Sequence, residues 1–116
     1  MGRALVTVLV GLIAPVVVAA AGAEPRVVDL EIRGGELPKE KRVVRVPQGD
    51  EVTLRWTTDR PVAIHLHGYD IETQLAPGKP ASMRFTARAT GRFPIEVHAH
   101  GGGEQRMLGY LEVHPR

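Results

Sequence analysis

From Val28 onward, apolar and polar residues alternate along most of the chain. Val28, Leu30 and Ile32 share one side of an extended segment, Val44 and Val46 do so after a Gly34-Gly35 and Pro38 turn region, and Val52, Leu54 and Trp56 repeat the pattern. A period of two puts successive side chains on opposite faces of a strand, so these segments predict three strands, a meander or the start of a Greek key. Gln48-Gly49-Asp50 is the tight turn between the second and third, because glycine accepts positive φ and aspartate supports turns through its side chain. After the turn signal Asp59-Arg60-Pro61, Val62, Ile64 and Leu66 lie on one face, with Ala63, His65 and His67 on the other, up to Gly68. Ile71 to Leu75 is a short extended piece, and Ala76-Pro77-Gly78-Lys79-Pro80 is a turn cluster that no central strand tolerates. Met83, Phe85 and Ala87 alternate again. Gly91 opens a strand whose Phe93, Ile95 and Val97 face the core, leaving Glu96, His98 and His100 directed away, until Gly101 to Gly103 break it. The last strand carries Met107, Gly109, Leu111 and Val113 on one side and stops at Pro115. With no sustained helical period in this part of the chain, seven or eight short strands predict an all-β, Greek-key sandwich or barrel built from two sheets.

The first residues have a different character. Arg3 precedes an apolar run from Ala4 to Ala20, and Ala21-Gly22-Ala23 stands before Glu24, the layout of a secretory signal peptide with a small-residue cleavage site. Residues 1–23 are therefore assigned to the leader and residues 24–116 to one small domain, too short for two cores. The competing reading is an uncleaved membrane anchor, since the run approaches the ~20 residues that span a bilayer. Gly11, Pro15 and the alanine motif favour removal. Either way the domain is exported, to the periplasm or the outside. The 15 Lys and Arg residues against 13 Asp and Glu are scattered, without the basic stripe that a nucleic-acid backbone requires. The chain has no cysteine, which removes disulfides, thiolate ligands and a cysteine nucleophile together.

Four of the five histidines form two pairs, His65/His67 and His98/His100, each closing a predicted strand near glycine. Residues two apart on a strand share a face, so each pair offers two imidazoles to one point, and imidazole binds copper, zinc and nickel. Met107 adds a thioether just before the last strand, although alternation equally allows it to pack beside Leu111 and Val113. Glu104 and Gln105 read as solvated loop residues and His114 as an ordinary surface histidine. The expectation is one metal site of His65, His67, His98, His100 and Met107, gathered at the loop end of the sandwich by bends at Gly68 and Gly101 to Gly103.

The run from Val44 to Val113 resembles the cupredoxins, notably small secreted cupredoxin-like proteins and the copper domains of nitrous-oxide reductase and cytochrome oxidase subunit II. The resemblance rests on Gly49-Asp50-x-Val52-x-Leu54-x-Trp56, His67-Gly68-Tyr69, Pro77-Gly78, Phe85-Thr86-Ala87, Gly91-Arg92-Phe93 and Met107-x-Gly109-x-Leu111-x-Val113. It implies His67 as the first histidine ligand, His98 or His100 as the second and Met107 as the axial methionine, with Val97 standing where the copper-bound cysteine is expected. Without that thiolate, blue-copper electron transfer is not expected. The functional expectation is an exported, monomeric protein that binds Cu(II) or Cu(I), with zinc able to use the same nitrogens. It would buffer copper or deliver it to a periplasmic or membrane-bound oxidoreductase. The alternative is a metal-free interaction module that has lost its site. Catalysis and a small-molecule substrate are not expected: no Ser-His-Asp arrangement can be placed, and Gly101-Gly102-Gly103 precedes a strand and lacks a phosphate-binding lysine.

Overall fold

The computed structural model describes residues 1–16, 24–99 and 102–116. The alternating segments form eight strands: β1 (Pro25–Ile32), β2 (Val43–Pro47), β3 (Glu51–Thr58), β4 (Val62–Leu66), β5 (Ile71–Leu75), β6 (Ala81–Thr86), β7 (Gly91–Ala99) and β8 (Arg106–His114). One 3-10 turn, Lys39–Lys41, interrupts the connection from β1 to β2. The strands build a three-stranded sheet in the order β1-β3-β6 and a five-stranded sheet in the order β2-β8-β7-β4-β5.

The first three strands do not form a meander. β1 and β3 lie side by side and parallel, while β2 crosses to the other sheet and pairs parallel with β8. Parallel neighbours need a crossover between them, and here the crossing segment is itself a strand of the facing sheet, which ties the two layers together. The other pairs are antiparallel.

The core is the space between the sheets. Leu30, Ile32, Leu54, Trp56 and Met83 enter it from the smaller sheet, and Val46, Ile64, Leu66, Ile95, Val97 and Leu111 from the larger, all buried. With no disulfide, this apolar layer carries the stability of the domain, so truncating one such leucine or isoleucine to alanine costs about 2–5 kcal/mol. Residues 1–16 contribute nothing to it: Leu5, Leu9, Leu12 and Ile13 are 93, 90, 94 and 94% exposed. Among the described residues, no helix is long and apolar enough to cross a membrane. The Ala21-Gly22-Ala23 motif lies outside the described residues.

Asp50, read from sequence as a turn residue, is also a fully buried anchor. Its carboxylate accepts Arg26 Nε at 2.9 Å, the Glu24 backbone N–H at 3.4 Å, and Arg116 Nη2. One side chain thus joins the start of β1, the β2–β3 turn and the end of the chain. Burial works to raise its pKa, but the bond from Arg26, the Glu24 amide and the charges of Arg116 and Arg26 outweigh it and hold the carboxyl below the usual aspartate range. A depressed native pKa contributes stability that is present above the unfolded-state value and lost as pH falls through the native one. Asp50→Asn is therefore expected to lower the melting temperature at neutral pH. In melts taken across pH, the gap between the two proteins should close below about pH 4, the ordinary aspartate range.

Candidate functional site

β4 lies between β5 and β7 in the larger sheet, so its outward side chains have neighbours on both sides. Register places Glu72 of β5, His65 of β4, Glu96 of β7 and Met107 of β8 opposite one another in a single row across four strands. One row away, Gln74, Ala63 and His98 are opposite one another. Ala63 points outward as expected but is 1% exposed, because it is the short residue between two longer side chains.

His65, His67 and His98 occupy the broad outer face of the sheet rather than one tip of the sandwich. His65 is within β4, and His67 follows its last residue, with its backbone N–H bonded to Pro94 O at 3.0 Å so that the ladder continues to it. Their rings lie 4.1 Å apart between centroids, tilted by 48°. His98 stands opposite Ala63 and its Nε2 is 3.5 Å from Glu72 Oε1, turned to the carboxylate of β5 rather than to the first pair. His100 lies outside the described residues. His114, at the end of β8, has Nε2 3.2 Å from Glu112 Oε1 in a surface group with Arg45 and Arg92, and Glu104 and Gln105 are exposed.

Met107 corrects the sequence reading. It does not share a face with Gly109, Leu111 and Val113. Ile95 pairs with Gly109 but Glu96 pairs with Met107, so β8 carries one extra residue, Leu108, across from that step. The bulge changes the facing of everything before it. Leu108 and Gly109 are both buried, while Met107 turns outward, 50% exposed, beside Glu96.

Two glycines hold these strand ends. A Cβ on Gly68, which has φ +83°, would run into the Phe93 ring, so the residue after His67 must be glycine for both its turn and its packing. A Cβ on Gly109 would strike the backbone carbonyl of Arg42, which accepts the Tyr110 N–H at 2.7 Å.

Glu96 and Glu72 are the members of this face that sequence reasoning left out of the site. Alternation marks both as outward, but only the pairing of β4 with β5 and β7 shows that they border the histidines. His67 Nε2 and Glu96 Oε2 are 3.1 Å apart, yet they are not aligned as a hydrogen bond, and both atoms are buried with no partner. The contact becomes a direct ion pair only with a protonated imidazole. In its neutral form the ring leaves two buried polar atoms facing each other, an arrangement that a bound cation would satisfy. The donor types fit copper, although among the described residues no three His, Asp or Glu side chains are already gathered as a metal-binding group.

The domain has a cupredoxin-like fold, which solved structures share. The Cu-containing nitrite reductase of Thermus scotoductus superposes with a TM-score of 0.62 at 20% identity, covering 79% of this chain and 28% of that one. The periplasmic domain of cytochrome oxidase subunit II of Bradyrhizobium japonicum gives 0.61 at 13% identity, covering 77% and 83%. In sequence, the chain is similar to cytochrome c oxidase subunit 2 of Thermus thermophilus, 29% identical over 72 residues that cover 60% of this chain and 53% of that protein. A second subunit 2 sequence from that species matches at the same identity over 43% of its length, so the chain spans about half of these relatives. No family model matches it.

Gly109→Ala tests the bulge. Forcing a methyl group against the Arg42 carbonyl should cost about 1–3 kcal/mol in chemical unfolding, with the loss confined to the β2–β8–β7 region in hydrogen exchange.

Proposed function

We propose that this chain is an exported copper-binding protein that holds the ion through imidazole and thioether without a thiolate, and buffers or delivers it rather than passing electrons as a blue-copper centre. The observation that carries this reading is the presence of His65, His67 and Met107 on one open face of a fold shared with copper-containing proteins. A methionine that could have packed is turned out onto the same face by a bulge, across Glu96 from His65. Imidazole suits oxidised copper and thioether reduced copper, so the set can follow the ion through both states. His98 and His100 would supply further nitrogen donors.

An exported location is supported by the leader-like pattern of residues 1–23 and by the likeness to a cytochrome oxidase subunit II periplasmic domain. On that basis the recipient is a membrane-bound oxidoreductase, and exposure of the donors on a sheet face, not in a sealed cavity, supports transfer by ligand exchange. The role is stoichiometric binding, not turnover. A metal-free interaction module is the second reading, favoured by the absence of three gathered donors among the described residues.

Copper titration of the protein purified after export separates the two. Saturation near one equivalent is expected, with a rise in melting temperature, because a ligand at about 100 times its Kd adds ~2.7 kcal/mol to the native state. His67→Ala should abolish the rise and His114→Ala should leave it. An unchanged melt with copper supports the metal-free module.

A further inference from the structure

We propose that Glu96 is an anionic metal ligand on this face, standing in for the missing thiolate, and that with His67 and His65 it makes the site hold divalent copper more tightly than monovalent copper. The proposal rests on the copper reading above and adds the residue that sets its charge.

Three observations support it. First, the Glu96 carboxylate is poorly compensated. The other outward glutamate of β7–β8, Glu112, is approached by Arg45 at 3.5 Å, Arg92 at 3.9 Å and His114 at 3.2 Å. Among the described residues, Glu96 has only His67 within ion-pair distance. Second, the 3.1 Å between His67 Nε2 and Glu96 Oε2 is not spanned by a hydrogen bond, and neither atom has another partner. Donors ~2.0–2.2 Å from a metal and roughly at right angles stand about 3 Å apart, so one ion can satisfy both orphaned atoms. Third, register puts Glu96 directly between His65 and Met107, so further donors flank it on both sides.

A carboxylate gives the site a hard anionic donor. Carboxylate with imidazole favours divalent ions, whereas monovalent copper prefers sulfur. His65 supplies the third donor by a side-chain rotation, which accounts for the absence of a preassembled trio. Glu72, opposite His65 on the other side, is turned to His98, its Oε1 3.5 Å from His98 Nε2.

The test titrates wild type, Glu96→Gln, Glu96→Asp and Glu112→Gln with copper(II) sulfate and, separately, with silver(I) nitrate as the monovalent probe, following binding by calorimetry and the copper(II) signal by electron paramagnetic resonance. Glu96→Gln should weaken copper(II) by about 100-fold and change its resonance parameters, while leaving silver(I) affinity close to wild type. Glu96→Asp should fall between, and it keeps the test usable if the glutamine variant folds poorly. Glu112→Gln, at the glutamate held by Arg45, Arg92 and His114, should match wild type with both probes. If wild type takes copper(II) and the Glu96 variants bind it equally well, Glu96 is not a ligand and the copper reading stands. Equal weakening of both probes overturns the preference for the divalent ion. If wild type takes no copper(II), the copper reading and this proposal fall together.

Discussion

One extra residue in β8 decides which way Met107 faces. A strand shows its side chains alternately to the core and to solvent, and uninterrupted alternation from Val113 back through Leu111 and Gly109 would bury Met107. Inserting Leu108 at the step between Ile95 and Glu96 breaks the parity. The chain keeps Leu108 and Gly109 inside and turns Met107 out. The space for this comes from glycine at position 109, where the Arg42 carbonyl closes in and ties β2 to the same point through Tyr110. Fold and candidate site therefore meet in one local irregularity.

The apolar core and the polar face impose separate demands on the same strands. In β4, Ile64 and Leu66 hold the sandwich together while His65 looks outward, and in β7 Val97 fills the core directly beside Glu96. Val97, at the position where the resemblance leads one to expect a cysteine, is 3% exposed and belongs wholly to the apolar layer. The anionic group of this face comes instead from its neighbour. Moving the charge one residue along the strand moves it from the core side to the solvent side.

Most of the architecture was legible because alternation is a local signal. The eight strands fall where Val28–Ile32, Val44–Val46 and their successors predicted them, and Gly49, Pro61 and Pro77-Gly78 mark turns through backbone constraints written in single residues. Pairing is not local. Nothing in the sequence of β2 showed that it leaves β1 and β3 to join β8, and nothing in Glu72 or Glu96 showed that His65 stands between them. Asp50 carried a turn signal that concealed its burial, because Arg26 and Arg116 come to it from distant parts of the chain. Met107 was misplaced for a related reason: alternation counts residues, and a bulge changes the count.

The central claim is one of place, that copper sits on the outer face of the larger sheet. Copper(II) is paramagnetic, so adding a small fraction of an equivalent to isotope-labelled protein erases amide resonances near the bound ion. The account predicts selective loss around His65, His67, Glu96 and Met107, with β1, β3 and β6 left sharp. Loss centred on His114 or on the smaller sheet, or uniform broadening with no centre, would contradict it.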